Sequence, residues 1–413
     1  MATRREFIKT SALLTGGAAL FGSSIMCGGG KKIPQGGLVV STAADDMLID
    51  LNYNPDAVHR AFTAGLKELS GEKTLENAWT SMFSPDDVVG IKINCIAAPK
   101  ISSSIQSINE TIAGLKSAGV KENNIIIWDH MDRAFRRTGL DINRGSTGLR
   151  VYGSSDKSGV TIPWTEGFDR DVYISLQDGT LKNFRRLVEQ NFTENGSHRE
   201  IFNSCAWLWM LINQGNEKAQ KYREDIQRLY MDYEDREGIK RIAEEVADKF
   251  NDVVIEDEEK SFFSNIVTKD ITKLINIAVL KHNEDSGVTW AAKNIALGVT
   301  TNKVRFHIDY CATAIPEIMN HPCIKDKTVL HIGECAKIST VSVAGAQMAF
   351  DNRIFFSRDP VAMDRIGLDL LEEKRLEMGL ESIRDIATHV EACARKGLGI
   401  GDLSKIDWRA LQV

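Results

Sequence analysis

The segment Leu280-Lys281-His282-Asn283-Glu284-Asp285-Ser286-Gly287-Val288-Thr289-Trp290-Ala291-Ala292-Lys293-Asn294 is the most chemically informative stretch of the chain. An apolar run ends in a polar loop, Thr289 is placed to cap a helix, and Lys293 falls one turn into it. In an open α/β sheet, ligands collect at the carboxyl ends of strands, where a helix start offers unpaired N–H groups and a positive dipole end. Lys281 and Lys293 add full charges to the same mouth. The expected ligand is an anion: a carboxylate, a phosphate, or an enolate-like oxygen that develops during reaction. Lys281, His282, Lys293 and Asp364 are the catalytic candidates, with the lysines stabilising negative charge and His282 or an aspartate acting as acid or base. Lys92, Asn94, Thr289 and Asn294 are the substrate-binding candidates. A solvated polar loop would show the same composition, since lysines and Asn-Glu-Asp runs are common on surfaces.

Lys92 and Asn94 alternate with Ile91 and Ile93, which puts them on one face near a strand end. His130 follows Trp128-Asp129 at another strand end and has similar standing. Three groupings invite a metal: His282 with Asp285, His307 with Asp309, and His331 with Glu334 and Cys335. The favoured set takes His307 and Asp309, two residues apart, with His282 supplied from its loop. Scattered histidines are more often satisfied polar residues, so a divalent metal stays an alternative. Asp359 caps the helix that Pro360 opens, and Asp364 lies one turn beyond that cap.

These residues need a scaffold of strands and helices, and the apolar periodicity supplies one. Asn54-Pro55 opens a helix with Val58, Phe62, Leu66 and Leu69 on one face, and Gly71 closes it. Val88 to Ile93 reads as a strand, Ile105 to Leu115 as a helix stopping at Gly119, and Asn124 to Trp128 as the next strand, hence a parallel sheet. Residues 181–250 change character, with helical periodicity, charge runs and the aromatic group Trp207, Trp209, Tyr222, Tyr230 and Tyr233. That stretch reads as a helical insertion. Strands then recur at Leu274 to Leu280, Thr328 to Ile332 and Arg353 to Phe356, with helices near 290–297, 360–373 and 381–396. The fold class is α/β, a mostly parallel sheet flanked by helices with a helical insertion in mid-chain. Its parts are 38–180 and 251–413, either side of the insertion.

The same residues carry a resemblance to the family called domain of unknown function 362. It rests on Val89-Gly90-Ile91-Lys92-Ile93-Asn94, Leu280-Lys281-His282, Gly287-Val288-Thr289, Lys293-Asn294 with Gly298 after it, and Asp359-Pro360-Val361-Ala362-Met363-Asp364. It covers most of the chain after Gly37 except the insertion. The resemblance implies an α/β fold and, in many relatives, a redox link through appended ferredoxin-like iron–sulfur motifs. Those motifs are absent from this chain, so no cluster is carried over, and no reaction comes with the family name.

The first residues point to an address. Thr3-Arg4-Arg5-Glu6-Phe7-Ile8-Lys9 precedes a weakly apolar stretch from Ser11 to about Ile25, the pattern of a twin-arginine signal over residues 1–27. Residues 28–37, rich in glycine, read as a flexible tether. The expected location is periplasmic or otherwise extracytoplasmic, reached in folded form, with the twin-arginine translocase as a partner. Lipid anchoring at Cys27 is disfavoured by Ser24-Ile25-Met26 before it. No later run approaches the roughly 18 apolar residues a bilayer span needs. The net charge of −6 argues against nucleic acid as a partner. Seven cysteines without a Cys-x-x-Cys pair give no ground for an iron–sulfur cluster. Three function classes remain: an envelope enzyme for a small anionic or carbonyl substrate, a metal or redox-cofactor protein exported folded, and a binding protein without chemistry.

Overall fold

The computed structural model describes residues 36–154, 156–157, 160–161, 167–176, 260–301, 303–342 and 345–413. The signal, the lipidation candidate Cys27, most of the tether and the 181–250 insertion with its aromatic group lie outside these residues. Strand Phe168–Ser175 pairs antiparallel with Lys260–Ser264, Ser175 opposite Lys260, so the chain returns beside the point at which it leaves.

Long apolar runs dictate a sheet covered on both faces, because only such strands are apolar at consecutive positions. Ile125-Ile126-Ile127-Trp128 is buried throughout, with Ile126 and Trp128 in one core and Ile125 and Ile127 in the other. The sheet runs in the order Asp407–Gln412, Leu38–Ala43, Arg353–Ser357, Thr328–Ser339, Lys273–Asn283, Val89–Lys92, Ile125–Asp129, Arg150–Gly153. The last five strands are mutually parallel. Arg353–Ser357 runs antiparallel to both its neighbours, and the C-terminal strand Asp407–Gln412 adds parallel to Leu38–Ala43. Strands from 38–180 and from 251–413 thus share one sheet.

The helices obey their terminal signals. Pro55–Ser70 starts from Asn54, whose side chain accepts the Asp56 N–H, and stops at Gly71 in the left-handed region. Ile105–Ser117 ends two residues before Gly119. The helix expected over 381–396 occupies Thr388–Arg395 only. Asp359 is a clamp on the fold: Oδ1 accepts the N–H of Val361 and Ala362, and Oδ2 accepts those of Gly37 and Ile400. One carboxylate therefore ties the first strand, a helix start and the C-terminal segment together.

The connections define where a ligand belongs. From Val89–Lys92 the chain crosses through Ile105–Ser117, packed in one core, to Ile125–Asp129 on one side. From Lys273–Asn283 it crosses through Ala291–Val299, packed in the other core, to Thr328–Ser339 on the opposite side. Adjacent parallel strands whose connections diverge in this way leave a crevice at their carboxyl ends, the switch point of a doubly wound sheet.

Candidate functional site

A cavity of about 180 Å³ opens at that switch point. Its lining comes from the ends of three neighbouring strands (Lys92 and Asn94; Asp129 and His130; Lys281 and Asn283), from Thr289, from Lys293, Asn294 and Gly298 of one helix, and from Lys303 and His307. Ligand pockets for drug-sized molecules start at about 300 Å³, so this volume suits a small metabolite.

Lys281, Asn94, Asn294, Lys92 and Asp129 form one hydrogen-bonded chain. Lys281 Nζ donates to Asn94 Oδ1 at 2.8 Å, and Asn94 Nδ2 donates to Asn294 Oδ1 at 2.9 Å. Lys92 Nζ reaches the same Asn294 oxygen at 3.4 Å, the Ile93 carbonyl at 2.5 Å and Asp129 Oδ1 at 2.8 Å. Asn294 Nδ2 donates to Asn276 Oδ1 at 2.7 Å, and Asn276 in turn bonds the Ala291 carbonyl and His331. Every amide orientation follows from its neighbours, which rigidifies the network.

The lysines differ in electrostatic state. Burial pushes Lys281 down to about 8, with Lys92 and Lys293 reinforcing the fall and Asp129 opposing it. Burial raises Asp129, yet the Lys92 ammonium and the N–H of Cys95 outweigh it and hold the carboxyl well below its ordinary value. Burial, together with the thiol's hydrogen bond to Asp129, drives Cys95 far up, so it is a neutral thiol. Lys293 Nζ is held by Asn283 Oδ1 at 2.7 Å and by Ser286 Oγ. His130 is neutral, lowered by burial and by nearby cations.

Close packing explains one glycine in the site helix. A Cβ on Gly298 would lie 2.0 Å from Lys92 Cε, so only glycine lets that helix pass over the buried ammonium.

Six of the eight catalytic and substrate-binding candidates meet in the cavity: Lys92, Asn94, Lys281, Thr289, Lys293 and Asn294, together with His130 and His307. His282 does not line it. Strand alternation turns His282 to the face opposite Lys281, where Nδ1 meets the Val341 carbonyl at 2.6 Å. Asp364 does not line it either: Oδ1 and Oδ2 accept the N–H groups of Ala291 and Ala292 at 2.6 and 3.0 Å. Burial pushes the Asp364 carboxyl up to about 7 against the pull of those amides. The first amides of the Ala291–Val299 helix are therefore occupied by the protein's own carboxylate, and the positive character of the cavity rests on lysines rather than on a free helix start. Thr289 is not the cap. It pairs with Lys281 across the short strand Gly287–Thr289, and its hydroxyl is buried with no hydrogen-bond partner among the described residues.

The metal set is not assembled. His307 lines the cavity, His282 faces Val341, and the exposed Asp309 accepts the Thr313 N–H. His331 and Glu334 belong to opposite faces of their strand: His331 bonds Asn276, whereas Glu334 caps the Ile105–Ser117 helix through Ser104 and Ser107. Among the described residues no three His, Cys, Asp or Glu side chains converge as ligands. Asp129, Asn276, Asn283 and Ser286 were not singled out in the sequence, although Asp129, Asn283 and Ser286 lie inside quoted motifs beside residues that were.

Residues 224–369 match the model of the family described as domain of unknown function (DUF362), which supports the family resemblance. That span starts within the expected insertion and carries Lys281, Thr289, Lys293, Asn294, His307 and Asp364, but not Lys92, Asn94 or Asp129. No curated protein and no solved structure matches the chain.

Proposed function

We propose that the switch-point cavity binds a small organic anion bearing a carboxylate or carbonyl, and that the protein is an enzyme of the cell envelope acting on it. The carrying observation is the convergence of Lys92, Lys281 and Lys293 on one small cavity in which Asp129, already paired with Lys92, is the single carboxylate among the described lining residues. Cations buried as these are stabilise a developing negative charge far more than they would in water. Lys281 takes the acid–base role expected of His282 or an aspartate, because its amine is lowered to about 8 and faces the cavity.

Titration calorimetry with small carboxylates and inorganic phosphate tests this reading. Lys293→Met is expected to weaken binding of the preferred anion by about tenfold or more, the effect of removing one charge-assisted contact. Anion affinity unchanged in both Lys293→Met and Lys281→Met would remove the site from consideration.

Export by the twin-arginine route is part of the same proposal, supported by Arg4-Arg5 and the weakly apolar stretch that follows. Cell fractionation of the Arg4→Lys/Arg5→Lys variant is expected to find the folded protein retained in the cytoplasm. Equal export of the variant would contradict it.

A further inference from the structure

We infer that Lys281 forms an imine with a 2-oxo acid held in the cavity, Thr289 binding the carbonyl oxygen and Lys293 the carboxylate. The inference rests on the anion-site reading above and names its substrate class.

The surroundings of Lys281 differ from those of Lys92 and Lys293. Lys92 is committed to Asp129, and Lys293 is held by Asn283 and Ser286, whereas among the described residues the Lys281 amine donates to the neutral Asn94 oxygen alone. A neutral amide acceptor orients the nitrogen without favouring its protonation, and two neighbouring cations disfavour it further. Desolvation beside other cationic groups is how a lysine becomes a nucleophile for carbonyl substrates.

Thr289 supplies the second component. It stands directly opposite Lys281 in the antiparallel register, so the two side chains leave the same face about 5 Å apart at Cβ. A buried hydroxyl without a partner is unfavourable unless a ligand or water satisfies it. Its place beside the amine suits the oxygen of the carbonyl under attack. Lys293 lines the same cavity as a cation held in place by Asn283 and Ser286, which suits the carboxylate of the same molecule.

The chemistry balances without another reactant. The Nζ lone pair attacks the carbonyl carbon, the C–N bond forms, and the carbonyl π pair moves to oxygen, which takes a proton. The carbinolamine then expels that oxygen as water, carrying away the two hydrogens that began on nitrogen, and leaves C=N.

Pyruvate, the smallest 2-oxo acid, is the probe, with cyanoborohydride to reduce any imine to a stable amine and peptide mass spectrometry to locate it. Labelling is expected to concentrate on Lys281. At pH 7.5 a lysine titrating near 8 holds about 200-fold more free amine than an ordinary one near 10.4. The pH profile should rise from 7 and level off above about 8, because the lowered value puts deprotonation there. Lys281→Arg should abolish the adduct, and Thr289→Val should slow its formation about tenfold. Lactate, which carries a hydroxyl in place of the ketone, separates the two readings by calorimetry. If pyruvate and lactate both bind and no adduct forms on Lys281, the imine is overturned and the anion site stands. If neither binds, the anion site falls and the imine with it. Labelling spread evenly over surface lysines overturns the imine.

Discussion

Replacing Lys92 by methionine is expected to lower the unfolding free energy by about 3–5 kcal/mol, the cost of leaving one partner of a buried ion pair without the other. Lys92 is 1 % exposed and Asp129 7 %, and the pair is closed at 2.8 Å. Methionine fills much of the volume of the lysine stem, so packing loss is small and the loss is mainly electrostatic. Asp129 would forfeit the ammonium that holds its carboxyl low and keep the amides of Cys95 and His130. Urea unfolding of the wild type, both single variants and the double variant Lys92→Met/Asp129→Asn measures the coupling. The double variant should recover part of the loss, since asparagine can still accept an amide N–H and carries no charge. Additivity within about 0.5 kcal/mol would show that the two groups are independent. The pH dependence follows from the same pair. A depressed folded value means that Asp129 contributes stability above its unfolded value of about 3.9, lost as pH falls below it. Lys92→Met should flatten that acid limb.

This pair also marks what a sequence can show. Lys92 was legible as a site residue because a charged side chain interrupts an apolar strand near its carboxyl end. Asp129 was legible only as the residue before His130, because the contact that gives it meaning joins positions 37 apart through the fold. The same contrast holds across the architecture. Strands buried on both faces announce themselves as apolar runs, and Asn54-Pro55 with Gly71 brackets its helix by local chemistry alone. Strand direction leaves no such trace: Arg353–Ser357 has an apolar run like the others and runs antiparallel. Asp407–Gln412 is mostly exposed and lacks a continuous apolar run. At the site, alternation alone was enough to part Lys281 from His282, since adjacent strand residues face opposite ways. Once the strand was recognised, the choice between them needed only the side on which the cavity lies, and that is set by the Ala291–Val299 crossover.

Asp364→Ala is expected to lower the unfolding free energy by about 2–3 kcal/mol and to weaken anion binding as well, although Asp364 does not line the cavity. The helix Ala291–Val299 starts at Trp290, whose side chain makes no capping hydrogen bond. Its first two amides are satisfied from 73 and 72 residues away by the two oxygens of Asp364, on the helix Pro360–Glu377. Remove the carboxylate and two buried N–H groups lose their acceptors at the turn that aims Lys293 and Asn294 into the cavity. Asp364→Asn should fall between alanine and wild type, because its oxygen accepts one amide while its NH₂ opposes the other. The test pairs urea unfolding with calorimetry against the preferred anion. A positioning role requires stability and affinity to fall together, in the order wild type, asparagine, alanine, while the pH at which Lys281 titrates stays in place. Affinity lost with stability intact would mean that the carboxyl touches the ligand directly. Stability lost with affinity intact would mean that the network Lys281–Asn94–Asn294–Asn276 holds the helix start by itself.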